Sequence, residues 1–347
     1  MTSVFLTHSS AMRKNYYDDR ALKALRDVAD VRLNPTEGDL NPDQLVEAAQ
    51  GCEIIVGARI PEIPATTLEQ LPDLVAFCRV AVDVRNIDIE AASRLGILVT
   101  RATPGFGPSV AEWILGVMID LSRGITNACI SYRTGVKPDI AMGRQLKGAT
   151  LGIIGFGTIG QYLAGLGQAL GMNVIFSDPY QSAGVPGVEQ CAFAAVLAES
   201  DFVVCLAAAT PETENMMNAA AFAQMKPSAY FINASRGELV NDHDLVQALE
   251  QGRIAGCALD VGRDQDQMPS ALLAQHRKVI ASPHIGGLTP EAALHQAMDT
   301  VGQVRSILAG RMPDGAMNAA HAHRLAHFQS EMPNQMHKDA RIAKVTS

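Results

Sequence analysis

The chain has 347 residues, 48% of them hydrophobic and 18% charged, with 29 glycines and one tryptophan. That balance excludes a disordered chain and suits two or three domains with a large buried core. Lys and Arg number 28 against 36 Asp and Glu, a net charge of −8 with no basic run, which argues against a nucleic-acid or anionic-membrane surface.

Residues 1–8 have too short an apolar run, and no basic region before it, to form a signal peptide. Apolar runs at 4–8, 31–34, 54–58, 74–78 and 97–100 read as strands. Helical patterns at 21–28 and 42–49 lie between them, and such alternation predicts a parallel sheet covered on both faces. One long helix is expected over 110–130, with Ala111, Ile114, Leu115, Met118 and Leu121 along a core-facing stripe.

Residues 148–177 carry no charge, and their length of thirty resembles a membrane span. Eight glycines punctuate this stretch, at 148, 152, 155, 157, 160, 165, 167 and 171, and Gln161 and Asn173 interrupt the apolar pattern. A strand–turn–helix unit accounts for it better. Strands are then expected at 151–155, 173–177, 202–206, 230–234, 256–261 and 279–282, and six strands in that span match a doubly wound dinucleotide-binding unit. A final helix is expected at 292–308. Residues 319–347 lack a clean period and read as an appended surface tail.

The ten residues from Leu151 to Gly160 read Leu-Gly-Ile-Ile-Gly-Phe-Gly-Thr-Ile-Gly. Gly155 permits a tight turn, Gly157 lets a pyrophosphate approach the backbone, and Gly160 lets the helix pack on the strand. Thr158 and Ile159 open that helix, whose free N–H groups and positive dipole end suit phosphates. Asp178 ends the next strand, eighteen residues past Gly160. An acid there accepts from a ribose diol and repels a 2′-phosphate, so NAD is expected rather than NADP.

Two further polar segments follow predicted strands, where ligands of open α/β sheets bind. One is Asn233-Ala-Ser-Arg236-Gly237 and the other Ser282-Pro-His284-Ile-Gly-Gly-Leu-Thr289. Arginine offers a fixed fork of donors for a carboxylate, and histidine exchanges a proton near neutral pH. Beside a nicotinamide, the two equip a site to interconvert 2-hydroxy and 2-keto acids.

With these motifs the sequence resembles the D-isomer-specific 2-hydroxyacid dehydrogenases, which include phosphoglycerate dehydrogenases, glyoxylate/hydroxypyruvate reductases and formate dehydrogenase. The resemblance spans about residues 50–318. It is carried by Asn86-Ile-Asp88, Ser109-Val-Ala-Glu112, residues 151–160, Asp178-Pro179, Met225-Lys-Pro227, residues 233–237, Ala258-Leu-Asp-Val261 and Pro283-His-Ile-Gly-Gly287. It implies an α/β protein of two doubly wound parallel-sheet domains, a Rossmann NAD domain and a flavodoxin-like substrate domain, with a cleft between them. The expected division is 1–100 with 290–318 for the substrate domain, 101–289 for the NAD domain and 319–347 for the tail. In this pattern Arg236 holds the substrate carboxylate and polarises the keto oxygen, and His284 is the general acid/base. Asp260 lies near the nicotinamide carboxamide, and Ala234 and Gly287 join the cofactor-binding set. A homodimer through the cofactor domains is also implied by resemblance.

The chain departs from that pattern in places. Five residues on from Asp260, where most members have an acid paired with the histidine, stands Gln265, flanked by Asp264 and Asp266. A neutral amide can orient an imidazole but does not stabilise imidazolium as a carboxylate does. The family's carboxylate loop, usually Gly-Val-Gly-Val-Asp-Asn, reads Ala81-Val82-Asp83-Val84-Arg85-Asn86 here. Val82, Asp83 and Arg85 are thus candidate substrate residues, and either Arg85 offsets the charge of Asp83 or the substrate differs. Ser109 and the lone Trp113 occupy positions that vary among relatives.

His8 and His243 read as surface or strand-end residues. His321, His323 and His327 have ligand-like spacing but no acid or cysteine to complete a metal set, so no metal is expected. The six cysteines form no CxxC and suit reduced, mostly buried thiols in a cytoplasmic protein. The expected function is NAD-dependent oxidoreduction of a small 2-hydroxy acid. An NAD(H)-sensing binding protein on the same fold is the alternative.

Overall fold

The computed structural model describes residues 1–182 and 184–330. The described residues divide into two compact units, residues 1–105 with 289–330, and Phe106–Leu288.

In the first unit five strands form a wholly parallel sheet: β1 (Ser3–Leu6), β2 (Asp30–Leu33), β3 (Ile54–Gly57), β4 (Ala76–Arg79) and β5 (Leu98–Arg101), in the order β2-β1-β3-β4-β5. Every residue of β3 and β4 is buried, as expected for parallel strands covered on both faces. The pleat sends Val4, Leu6, Val56 and Cys78 to one core and Phe5, Ile55 and Phe77 to the other. Helix Pro42–Ala49 starts where its sequence dictates. Proline occupies its first turn, and Asn41 and Gln44 close a reciprocal capping box.

The helix Pro290–Leu308 completes this unit, although the chain reaches it only after the whole of the second one. It buries Ala297, Val301, Val304 and Ile307 in the first core. Thr300 Oγ1 meets Tyr17 Oη at 3.3 Å, and Thr100 Oγ1 donates to Gln303 Oε1 at 2.6 Å. Asn318 bonds the backbone of Val99 and Ile97, and Arg324 Nη1 donates to the carbonyls of Leu71, Pro72 and Leu74. Leu325 is buried. Residues 319–330 of the expected surface tail therefore pack onto the first unit; 331–347 lie outside the described residues.

The second unit holds seven parallel strands: β6 (Thr150–Ile154), β7 (Asn173–Ser177), β8 (Val188–Gln190), β9 (Phe202–Cys205), β10 (Tyr230–Asn233), β11 (Gly256–Leu259) and β12 (Val279–Ala281). Their order, β12-β11-β10-β9-β6-β7-β8, is doubly wound, reversing between β6 and β9. The expected count was six. The extra strand, β8, reads Val-Glu-Gln with only Val188 buried, so it has no apolar run to mark it. The single helix expected over 110–130 is two, Gly107–Arg123 and Ile125–Arg133. Gly124 divides them at φ 65°, a left-handed conformation that ends a helix. The uncharged stretch is β6, the helix Thr158–Ala169 and β7. Among the described residues no helix is long and apolar enough to cross a membrane.

Candidate active site

In the second unit the three fingerprint glycines meet three different constraints. Gly155 has φ 92°, and a Cβ there would lie 2.6 Å from the nitrogen of Ala207. A Cβ on Gly160 would lie 2.6 Å from the carbonyl oxygen of Gly155, so the helix sits directly on the turn. A Cβ on Gly157 would meet nothing within 4 Å. The turn therefore tolerates a side chain at Gly157, and glycine there serves open space next to the helix N-terminus. Gly157 is the N-cap of Thr158–Ala169, and no side chain caps that end. The first N–H groups, at Thr158, Ile159 and Gly160, thus have no side-chain acceptor at that cap, the arrangement that receives phosphate. Asp178 accepts from the nitrogen of Phe156 at 2.7 Å, and from those of Tyr180 and Gln181 at 2.8 and 3.1 Å. Its carboxylate is fixed at the rim of the turn by three backbone donors. These features fit an adenine dinucleotide.

Arg236 follows β10 on a loop tied down from both sides. Buried Asn233 accepts from the nitrogen of Ser235 and donates to the carbonyl of Arg236, and Ser235 Oγ donates to the carbonyl of Ala207 at 2.5 Å. Ala234 bonds back to Cys205. Gly237 is needed by packing: a Cβ there would fall 2.2 Å from Gly262.

Asp260 is 3% exposed and gathers the histidine turn around itself. Its Oδ1 accepts from Ser282 Oγ at 2.5 Å and from the nitrogen of Ile285 at 2.9 Å, and its Oδ2 accepts from the nitrogen of Gly286 at 2.7 Å. A Cβ on Gly286 would lie 2.8 Å from that Oδ2 and 3.5 Å from Trp113 Cγ, and one on Gly287 would press on Phe106. His284 rides on the turn thus anchored, at φ 55°. A left-handed histidine costs about 1–3 kcal/mol and persists only where its surroundings impose it. Its Nδ1 lies 3.1 Å from the carbonyl of Asp266. An Nδ1–H donating there leaves Nε2 to carry the exchangeable proton.

Gln265 was expected to orient His284, yet its side chain makes no hydrogen bond to the imidazole among the described residues. The 3₁₀ turn Gln265–Gln267 bends through Asp266 (φ 56°) and Gln267 (φ 60°), which aims the main-chain oxygen of Asp266 at the ring. The partner of the His284 ring is thus a main-chain carbonyl.

The variant loop of the first unit is self-neutralised. Arg85 bonds Asp83 through Nε at 3.0 and 3.1 Å, through Nη2 at 2.9 Å and through its backbone nitrogen at 3.0 Å. Arg85 thus offsets Asp83, and Val82 precedes the pair half-buried.

Two buried residues stand at the carboxyl edge of the same sheet, and of these the sequence marks only His8, as a surface or strand-end residue. Arg79 ends β4 and is 3% exposed; its Nη1 donates to the carbonyl of Gly57 at 3.3 Å, and its Nε has no partner among the described residues. Burial, with Arg59 nearby, pulls its guanidinium down to about 10, while Asp83 acts the other way. His8 is at a strand end as expected, following β1, but it is not at the surface: it is 1% exposed, and its Nδ1 is unpartnered among the described residues. Burial first, then the charges of Arg79 and Arg13, push it down to about 3. A charge closing an all-apolar run, as Arg79 does after 74–78, was the available signal.

The six cysteines are free thiols, four of them buried. Among the described residues no three His, Cys, Asp or Glu converge as a metal site.

Residues 115–286 match the family described as "D-isomer specific 2-hydroxyacid dehydrogenase, NAD binding domain". The chain is 31% identical over 316 residues to D-3-phosphoglycerate dehydrogenase of Synechocystis sp., covering 90% of this chain and 56% of that protein. It is 33% identical over 285 residues to the Homo sapiens protein of that name, covering 81% and 53%. The chain thus spans about half the length of the curated relatives it matches. The apo-structure of D-lactate dehydrogenase from Escherichia coli aligns with a TM-score of 0.78 at 25% identity, over 91% of this chain and all of that one.

Proposed function

Since the chain belongs to the D-isomer-specific 2-hydroxyacid dehydrogenases, we propose that it interconverts a small D-2-hydroxy acid and its 2-keto acid with NAD. The observation that carries this reading is the anchoring of His284: Asp260 fixes its turn by three hydrogen bonds, and the carbonyl of Asp266 faces Nδ1. Such an imidazole is held by Nδ1 and works through Nε2. Energy spent on holding a strained histidine suits proton transfer to or from a substrate oxygen.

NAD, when bound, supplies the nicotinamide carbon that exchanges hydride with the substrate. Gly155, Gly157, Gly160 and the helix start at Thr158 and Ile159 would receive its pyrophosphate, and Asp178 its ribose diol. Ala234 and Gly287 would border it, and Asp260 would act through the turn it pins. Arg236 would grip the substrate carboxylate bidentately and stabilise negative charge on the reacting oxygen. Val82 and the Asp83–Arg85 pair would shape the substrate side from the first unit. Free thiols throughout suit a reducing, cytoplasmic setting.

The reading is tested by NADH oxidation with a panel of 2-keto acids. Wild type should turn over at least one. Arg236→Ala should raise KM and lower kcat, and His284→Asn should lower kcat at least a hundredfold. Tight NADH binding without turnover of any acid would replace this reading with the NAD(H)-sensing one.

We also read the protein as a homodimer through the second unit. Tyr132 is 71% exposed, Ile140 and Met142 are fully so, and Ile130 and Val136 are each more than half exposed. A run of apolar side chains in water marks an interface. Light scattering should give twice the chain mass, and Ile140→Glu should halve it.

A further inference from the structure

We propose that Trp113, the single tryptophan of the chain, is a positioning residue for His284: its ring closes the space at Gly286 and keeps water from the hydrogen bond that pins the histidine turn to Asp260. The role rests on the dehydrogenase reading of the site. His284 holds a left-handed conformation, which lasts only where neighbours enforce it. Asp260 supplies the polar part of that constraint through Ser282, Ile285 and Gly286. The apolar part comes from one face of the helix Gly107–Arg123. Phe106 (its N-cap), Val110 and Trp113 are spaced four and three apart, so they share that face. A Cβ on Gly287 would lie 3.2 Å from Phe106 Cβ and 3.6 Å from Val110 Cγ2. One on Gly286 would lie 2.8 Å from Asp260 Oδ2 and 3.5 Å from Trp113 Cγ. The room that a side chain would take at 286 is thus filled by the carboxylate and the indole together.

The effect is electrostatic as well as steric. The bond from the Gly286 nitrogen to Asp260 Oδ2 is buried, and Asp260 is 3% exposed. A charge-assisted bond is strongest away from water, and water admitted at Gly286 would compete for both of its ends. Trp113 is itself held, since it packs on the core that contains Val110, Ile114 and Ala258 of β11. The same helix also touches the other half of the site. A Cβ on Gly107 would lie 3.2 Å from Thr158 Cγ2, at the start of the helix that follows the glycine turn. One element therefore sets the spacing between the nucleotide turn and the histidine turn. A displacement of about 1 Å at either can cost a reaction about a hundredfold in rate.

Amide hydrogen exchange tests the clamp without reference to turnover. In Trp113→Ala the amides of Ile285 and Gly286 should exchange about tenfold faster or more, while those of β10 stay as in wild type. Trp113→Phe keeps an aromatic ring and should recover most of the protection. In the 2-keto-acid assay Trp113→Ala should lower kcat about tenfold or more, with KM for the acid and for NADH within about twofold of wild type. In a His284→Asn background Trp113→Ala should lower the residual rate no further, because two changes that act through one group do not add. A residue that served only the fold would lower it by the same factor in both backgrounds. Unchanged exchange at 285 and 286, exchange quickened equally in β10, a wild-type kcat in Trp113→Ala, or an undiminished effect in the His284→Asn background would each overturn the proposal. If wild type turns over no acid, the dehydrogenase reading falls, and the exchange of 285 and 286 alone decides whether Trp113 holds the turn.

Discussion

His8 makes the first unit acid-labile by a calculable amount. Its folded pKa is about 3 against 6.5 in the open chain. The folded state therefore refuses a proton that the unfolded state accepts, and stability falls as pH drops below 6.5, down to about 3. Each pH unit well inside that window costs about 1.4 kcal/mol, so at pH 4.5 the loss from this one residue is about 3 kcal/mol. The groups that hold it neutral are named by geometry: the ring of Tyr17 at 5.3 Å, Arg79, and Arg13, whose Nη1 bonds the His8 carbonyl. Urea unfolding between pH 7.5 and 4.5, with hydrogen exchange of β1 amides to report this unit, measures the slope. His8→Asn titrates nothing in this range, so its curve should be flatter than wild type by that amount. Wild type and His8→Asn losing stability in parallel would refute the reasoning, since acid lability would then arise elsewhere.

Other outcomes are equally specific. Gly157→Ala should leave the unfolding temperature within a degree or two of wild type, because the added methyl meets open space, while NADH affinity by fluorescence titration falls at least tenfold. Asp260→Asn presents an amide where three donors converge. It should cost about 2–4 kcal/mol in denaturant unfolding and depress kcat through the loosened His284 turn. Gly96→Ala places a methyl 2.3 Å from His323 Nε2 at φ 77° and should cost about 1–3 kcal/mol. Adding His323→Ala should recover the steric part and leave the backbone part.

How far the sequence could be read depended on the range of the interaction concerned. The helix Pro42–Ala49 and strand β7 were legible to the residue, since caps, proline and apolar runs act locally. The glycine turn was legible because each glycine answers a constraint a few residues away. The break at Gly124 was missed because the apolar stripe continues across it, and β8 because an edge strand needs little burial. Site residues drawn from motifs came with their positions but not their partners. That Asp266 offers a carbonyl to His284, or that Asp260 spends its carboxylate on Ser282, Ile285 and Gly286, depends on left-handed backbone at 266, 267 and 284, which no local pattern announces. The burial of Arg79 and His8 was hidden for a related reason: it comes from strands and helices far apart in the chain.

The late arrival of the helix Pro290–Leu308 in the first unit has a consequence for biosynthesis. The five strands that it covers are complete once residue 101 has been made, yet Ala297, Val301, Val304 and Ile307 belong to their core. At about 5–20 residues per second, roughly 10–40 s separate the last strand from the helix that seals it. During that interval the nascent chain carries an open apolar sheet face, while the second unit, contiguous from Phe106 to Leu288, can collapse as soon as it emerges. The inserted unit is thus fully synthesised while the core of its host still lacks a helix.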